Sequence, residues 1–149
     1  MSQSIAVAVQ TPLIEVRRAT NRGRGGRGVF ARKNIPRGTL IERMPVLLMP
    51  ATHVYEEMPD GRVRCPALTW YVFDWRFDDA PKTKFGPDDY VGLALGYGSL
   101  YNHAWPANAR WERVAPDLLE IAAHRDISAG DEITINYHGE PDDPEPVDF

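Results

Sequence analysis

Punctuation limits this chain more than any other feature. Thirteen prolines and twelve glycines are spread through its 149 residues, and few stretches between them are long enough for a helix of several turns. Proline removes a backbone donor and glycine favours turns, so the elements between them must be short. The apolar residues alternate or run in short blocks, which suits strands. Strands are expected over Leu13 to Arg18, Val29 to Ala31, Thr39 to Met49, Leu68 to Phe77, Ala109 to Val114, Leu118 to Ala123 and Glu132 to Tyr137. Pro45 argues for a bulge or an edge position in the third of these. Ala51 to Met58 has room for one helical turn, and residues 78–89, with two prolines and four aspartates, read as a loop. The expected fold class is mainly β, in one domain spanning residues 12–139. A loosely held arm, 1–11, precedes it, and an exposed acidic tail, 140–149, follows it.

Composition narrows the function classes. An apolar fraction of 43% and a charged fraction of 26% are ordinary for a globular domain. No apolar run approaches the roughly 20 residues of a membrane helix, and Met1 to Thr11 lacks the basic start and apolar stretch of a signal peptide. The single cysteine, Cys65, excludes a disulfide or a cysteine-based zinc site within the chain. The expected location is the reducing cytoplasm. His53, His124 and His138 show no metal-ligand spacing, and no Ser/His/Asp constellation surrounds Ser99. The net charge of −4 is unevenly spread: residues 1–50 hold nine Lys/Arg against two acids, and residues 110–149 three Arg against eleven acids. The basic part can touch phosphates, and the acidic part can attract a basic partner.

Gly23-Arg-Gly-Gly-Arg-Gly28 satisfies the spacing G-x-G-x-x-G. That spacing marks a dinucleotide site only between a strand and a long helix. Here Val29-Phe30-Ala31 follows, and then Pro36-Arg37-Gly38, which leaves no room for the helix. The Walker pattern also fails, because no Gly-Lys-Ser/Thr follows. Two readings remain: a basic loop from Arg17 to Arg37 that touches nucleic acid, or backbone that approaches a ligand closely where no Cβ intervenes.

Gly96-Tyr-Gly-Ser-Leu-Tyr-Asn102-His103-Ala-Trp-Pro-Ala-Asn108-Ala109 gathers two asparagines, a histidine and three aromatics in turn-forming sequence. Partly buried, such polar groups must pair with backbone or a ligand. Together with Gly25-Gly-Arg-Gly-Val-Phe-Ala31 and Arg125-Asp-Ile-Ser-Ala-Gly-Asp-Glu-Ile-Thr-Ile-Asn-Tyr137, in this order, it resembles the SET-domain family of protein-lysine methyltransferases, from about Ile14 to Gly139. It is similar to the minimal, stand-alone SET proteins of bacteria and viruses.

The resemblance implies a β-clip-like arrangement of short curved sheets, few short helices and a C-terminal pseudoknot. It implies S-adenosylmethionine as cofactor and a protein substrate presenting a lysine. Gly25, Gly26, Arg27 and Gly28, with Asn102 and His103, fall at cofactor-binding positions, and Tyr137 falls at the catalytic tyrosine. Glu132 reads as structural, and Asn136 as pairing backbone in the knot. No metal is implied. The family motif Asn-His-Ser-Cys-x-Pro-Asn is met at Asn102, His103 and Asn108. Ala104 replaces the serine, Trp105 replaces the cysteine, and the proline comes one place early at Pro106. A cysteine-rich zinc segment that closes the lysine channel in many relatives has no counterpart here; the acidic tail, a partner subunit or the aromatic stretch 68–77 would close it. A second copy of the chain is a further candidate partner. The alternative reading is a SET-like binding module with little or no turnover.

Overall fold

The computed structural model describes residues 12–18, 26–75 and 89–147. In chain order the strands are β1 (Ile14–Arg18), β2 (Arg27–Ala31), β3 (Leu40–Pro50), β4 (Val72–Asp74), β5 (Tyr90–Ala94), β6 (Asn102–His103), β7 (Ala109–Ala115), β8 (Leu118–Ala123) and β9 (Glu132–Ile135). One helical turn, α1 (Thr52–Tyr55), follows β3, and 3₁₀ turns occupy Leu68–Trp70 and Gly98–Leu100. The fold is mainly β, as expected, and each strand ends near the proline, glycine or polar turn that the sequence supplies. The loop expected at 78–89 falls almost wholly outside the described residues, as do the arm 1–11 and Gly25.

The strands form two sheets, ordered β1-β2-β9-β6 and β4-β5-β3-β8-β7. Their inner faces share one core, in which Val29, Ile41, Leu119, Ile121, Ile133 and Ile135 are fully buried. Ala51, Val54 and Val91 make a smaller cluster under α1.

Two expectations about strands are corrected. Pro45 lies neither at an edge nor at a bulge: β3 is the middle strand of its sheet, and its register shift falls between Leu40 and Glu42. The strand changes partner at the proline. Leu40 to Pro45 face β8, and Val46 to Pro50 face β5. Pro45 closes the first ladder opposite Leu118, while its carbonyl accepts the Leu95 N–H at 3.0 Å. At such a changeover the missing donor breaks no continuous ladder.

The second correction concerns Leu68 to Phe77, which is not one strand. After Pro66 the chain tightens into a 3₁₀ turn, with Thr69 Oγ1 donating to the Pro66 carbonyl at 2.7 Å, before β4 begins. Trp75 then turns into the core, where its indole N–H reaches the Pro116 carbonyl at 2.7 Å. Phe77 lies outside the described residues.

Two turns that look alike in sequence, Asn34-Ile-Pro-Arg-Gly38 and Asp126-Ile-Ser-Ala-Gly130, are bound to each other. Ile35 and Ile127 exchange backbone bonds of 2.8 and 2.9 Å. Asn34 Oδ1 accepts Ala129 N–H at 2.9 Å, and Asp126 Oδ1 accepts Arg37 N–H at 2.8 Å. Gly38 and Gly130 close the turns at φ 85° and 90°, the left-handed region that favours glycine. This clamp sets where the chain enters β9.

The acidic C-terminal segment is held more firmly than its composition suggests. Ala107 N–H donates to the Pro141 carbonyl at 2.9 Å, Asn136 Nδ2 to the Asp143 carbonyl at 2.8 Å, and Trp105 Nε1 to the Asp142 carbonyl at 3.2 Å. Asp142 also bonds Arg125 at 2.9 Å and His124 at 3.2 Å. Pro141 is buried, while most of its neighbours keep their side chains exposed.

Candidate active site

β9 joins the three motifs. It runs antiparallel to β2, with Val29 opposite Ile133 and Phe30 opposite Glu132, and parallel to β6, with Asn102 opposite Thr134 and His103 opposite Ile135. The glycine-rich loop and the Asn-His pair, about 75 residues apart in sequence, thereby reach one place.

Asn102 is buried at their meeting point. Its Nδ2 donates to the Arg27 carbonyl at 2.8 Å and to Glu132 Oε1 at 2.6 Å. Gly28 lies directly against this pair: a Cβ there would stand 3.1 Å from Asn102 Nδ2 and would collide with Glu132 Oε1. The structural role expected for Glu132 thus has a definite form, orienting the Asn102 amide. Gly26 adopts φ 63°, and a Cβ on it would meet none of the described residues within 4 Å. Arg27 is exposed and enters the site through its carbonyl. Gly25 lies outside the described residues, so its place in the site is not fixed.

His103 and Tyr137 form the second half. The Tyr137 backbone N–H donates to His103 Nδ1 at 3.1 Å, and the two rings lie 5.2 Å apart at a 56° tilt. An accepting Nδ1 puts the imidazole proton on Nε2. Burial, and secondarily the charge of His138, hold the His103 pKa below its ordinary value, so the ring is neutral at physiological pH. The Tyr137 hydroxyl donates to the Tyr101 carbonyl at 3.1 Å, although the residue as a whole is 38% exposed. It is therefore oriented and accessible together.

Asn108 grips β9 from the side. Its Nδ2 donates to the Glu132 carbonyl at 2.8 Å, and its Oδ1 accepts the Thr134 N–H at 2.9 Å. Ala104 has no hydroxyl to close the turn, but its N–H bonds the Ile135 carbonyl at 3.1 Å. Asn136 is fully buried and bonds backbone as expected: its Oδ1 accepts the His138 N–H at 3.0 Å, and its own carbonyl accepts Trp111 Nε1 at 2.8 Å. Trp111 stacks edge-on against Phe73, with centroids 5.0 Å apart, and both rings pack against the core. Among the described residues no group of three or more His, Cys, Asp or Glu side chains could hold a metal ion, and no helix is long and apolar enough to cross a membrane.

Sequence reasoning missed Glu42 and Trp111. Glu42 is buried beneath the Asn-His turn, and burial pushes its carboxyl pKa up, against hydrogen bonds from Tyr97 and Tyr101 that lower it. Tyr101, counted among the site aromatics, is instead a core residue whose hydroxyl faces Glu42, and burial raises its pKa well above 10. The apolar-flanked acid in Ile41-Glu-Arg-Met44 was the available signal for Glu42. Nothing local marked Trp111.

A mainly-β domain whose last strand ties a glycine loop to an Asn-His turn, with a tyrosine two residues beyond it, is the arrangement of SET domains. The SET domain family model matches residues 26–138. A protein of Schizosaccharomyces pombe named as a histone-lysine N-methyltransferase specific for H3 lysine 37 is 32% identical over 115 residues, 76% of this chain and 67% of that protein. A crystal structure of a candidate histone methyltransferase of Plasmodium falciparum superposes with a TM-score of 0.56 at 27% identity, over 83% of this chain and 96% of that one. The chain belongs to the SET domain family.

Proposed function

We propose that this protein is a protein-lysine N-methyltransferase using S-adenosylmethionine. The observation that carries the reading is the join around β9. Asn102 is bonded to the Arg27 carbonyl beside Gly28, and the neutral His103 is bonded to the backbone of Tyr137. The donor set suits this cofactor: the backbone at Gly26, an oriented amide and a neutral imidazole offer polar contacts, and the neighbouring Glu132 carboxylate is engaged by Asn102 Nδ2. Gly26, Arg27, Gly28, Asn102 and His103 would hold it, with Gly25 by extension of the motif. When bound, the cofactor supplies an electrophilic methyl group.

The chain's own residues then align, desolvate and orient. A lysine amine must be neutral to attack, and proximity to positive charge in an apolar channel favours loss of its proton. Tyr137 is the candidate catalytic residue. A phenol with an ordinary pKa of about 10 exchanges hydrogen bonds rather than taking the proton. Its hydroxyl, fixed on the Tyr101 carbonyl, would orient the incoming amine, and the Phe73 and Trp111 rings help to exclude water. The acidic segment after Tyr137, held against Trp105 and Asn136, could attract a lysine-bearing peptide of basic character. The homologue names support a protein substrate of this kind, and the active-site assignments rest on the geometry above.

Calorimetric titration with S-adenosylhomocysteine tests the pocket without knowledge of the substrate. The protein should bind, and Asn102→Ala should abolish binding. A labelled-methyl screen of lysate then tests transfer, which Tyr137→Phe should reduce by about a hundredfold or more, the scale of a lost oriented contact. Binding without transfer to any protein would favour the binding-module reading. No binding by folded protein would refute the methyltransferase reading and favour a protein-binding scaffold.

A further inference from the structure

Glu42 is a buried ionisable side chain with no part in this scheme. It lies on β3, is 5% exposed and is flanked by the fully buried Ile41. Its Oε2 accepts the Tyr97 N–H at 3.1 Å, and its Oε1 faces the Tyr101 hydroxyl at 3.4 Å. One carboxylate thus holds both ends of the turn that leads into β6. The chain is shaped to bring them there. Gly96, at φ 76°, would place a Cβ 3.2 Å from Glu42 Oε2, and Gly98 is pressed against Met44 so closely that a Cβ would collide with its sulfur. Ser99 Oγ anchors the middle of the turn on the Tyr71 carbonyl at 2.8 Å.

The far end of this assembly is the Tyr101 carbonyl, which receives the Tyr137 hydroxyl at 3.1 Å. Tyr101 is itself 2% exposed, so its position follows from what packs and bonds its side chain. Asn102, the next residue, has separate anchors in Arg27, Glu132 and the pairing with β9. Burying a carboxylate is unfavourable, and well-packed apolar replacements are often as stable or more so. Stability alone therefore gives little reason for an acid here; geometry does.

We propose that Glu42 is a positioning residue for Tyr137: by fixing Tyr97 and Tyr101 it fixes the carbonyl that aims the Tyr137 hydroxyl. This rests on the methyltransferase reading for its catalytic consequence, though not for its geometric one. Glutamine at this position keeps an acceptor for Tyr97 and a donor toward the Tyr101 oxygen; leucine keeps neither.

The experiment compares Glu42→Gln, Glu42→Leu and Tyr101→Phe, alone and combined with Tyr137→Phe. Leucine should lower kcat between about tenfold and a hundredfold, the cost of a misplaced reacting group, while the affinity for S-adenosylhomocysteine changes by less than about threefold because Asn102 keeps its anchors. Glutamine should restore kcat to within about threefold. In the Tyr137→Phe background the leucine change should have almost no further effect, since both act through one hydroxyl. An unchanged kcat in the leucine variant, or an undiminished loss in the Tyr137→Phe background, would overturn the proposal. If Glu42→Leu does not fold, Tyr101→Phe, which removes only the hydroxyl contact, gives the same comparison. Carbon-13 NMR of tyrosine-labelled protein supplies a readout without turnover. The Tyr137 Cζ resonance, assigned by its loss in Tyr137→Phe, should move in the leucine or Tyr101→Phe variant and return in the glutamine variant; a resonance unmoved in both overturns the positioning role. A parent protein that neither binds S-adenosylhomocysteine nor transfers a methyl group would refute the methyltransferase reading alone, and the NMR comparison would still decide the role of Glu42.

Discussion

Asn108 offers a test of the fold that needs no ligand. Its amide makes two bonds to the backbone of β9, from Nδ2 to the Glu132 carbonyl at 2.8 Å and from the Thr134 N–H to Oδ1 at 2.9 Å. In Asn108→Ala both β9 groups lose their partner. Each orphaned buried group costs about 1–3 kcal/mol. Asn108 is half-buried, so water reaches part of the vacated space, and a total of about 3 kcal/mol is expected. For a chain of this size that corresponds to a fall in Tm of about 10 °C. Asn108→Asp separates the donor from the acceptor. It keeps an oxygen for Thr134 but sets a carboxylate against the Glu132 carbonyl, so at pH 7 it should be no more stable than alanine. The aspartate is better tolerated protonated, when it can donate to that carbonyl, so its folded pKa is raised. Its advantage over alanine is therefore present below the ordinary carboxylate pKa of about 4 and is lost as pH rises through the folded value. Guanidinium unfolding at pH 7 and pH 4, with unchanged m-value, measures both effects. A loss under about 1 kcal/mol in Asn108→Ala, or an aspartate as stable as asparagine at pH 7, would refute the reasoning.

Other expectations follow from the same geometry. Gly28→Ala should displace Glu132 from Asn102, losing a charge-assisted bond of about 2 kcal/mol and weakening S-adenosylhomocysteine binding about tenfold; calorimetry that finds parental affinity would contradict the close packing at Gly28. The His103 pKa is lowered, so the unfolded chain binds the proton first. The stability it contributes is complete above the ordinary value of 6.5 and is lost as pH falls through the folded value. An NMR titration should place its midpoint below 6.5, with the Tyr137 amide shifting as Nδ1 ceases to accept; a midpoint at or above 6.5 would count against the neutral imidazole. Glu42, with its pKa raised, contributes stability below the ordinary 4.5 that is lost as pH rises through the folded value. Glu42→Gln should therefore flatten the stability profile between acid and neutral pH, and a profile parallel to the parent's would exclude a titrating Glu42.

The places where sequence reasoning failed share a cause. The donor that Pro45 lacks points to an edge or bulge, but what accommodates it is a change of partner between β8 and β5, which no local pattern shows. Leu68 to Phe77 carries the aromatics of a strand, yet the turn after Pro66 and the pull of the core on Trp75 divide it. The acidic segment has the composition of a free tail, but backbone bonds to Asn136, Ala107 and Trp105 depend on groups that become neighbours only after β9 is in place. Trp111 and Glu42 carry no motif at all.

By itself the sequence determined the mainly-β class, most of the short strands though not β5 or β6, and, through three ordered motifs, the family and the residue types of the candidate site. Glycines, prolines and alternating apolar residues act over a few positions, so they are legible one segment at a time. The tertiary structure decided what each segment faces: β9 between β2 and β6, antiparallel to the first and parallel to the second, Asn102 against the Arg27 carbonyl, and the Tyr137 hydroxyl on the Tyr101 carbonyl. Alternation along a strand fixes which side chains share a side of the sheet, but leaves its partners open. Those partners are selected by the shared core and by backbone groups that can be satisfied in only one arrangement once they are buried.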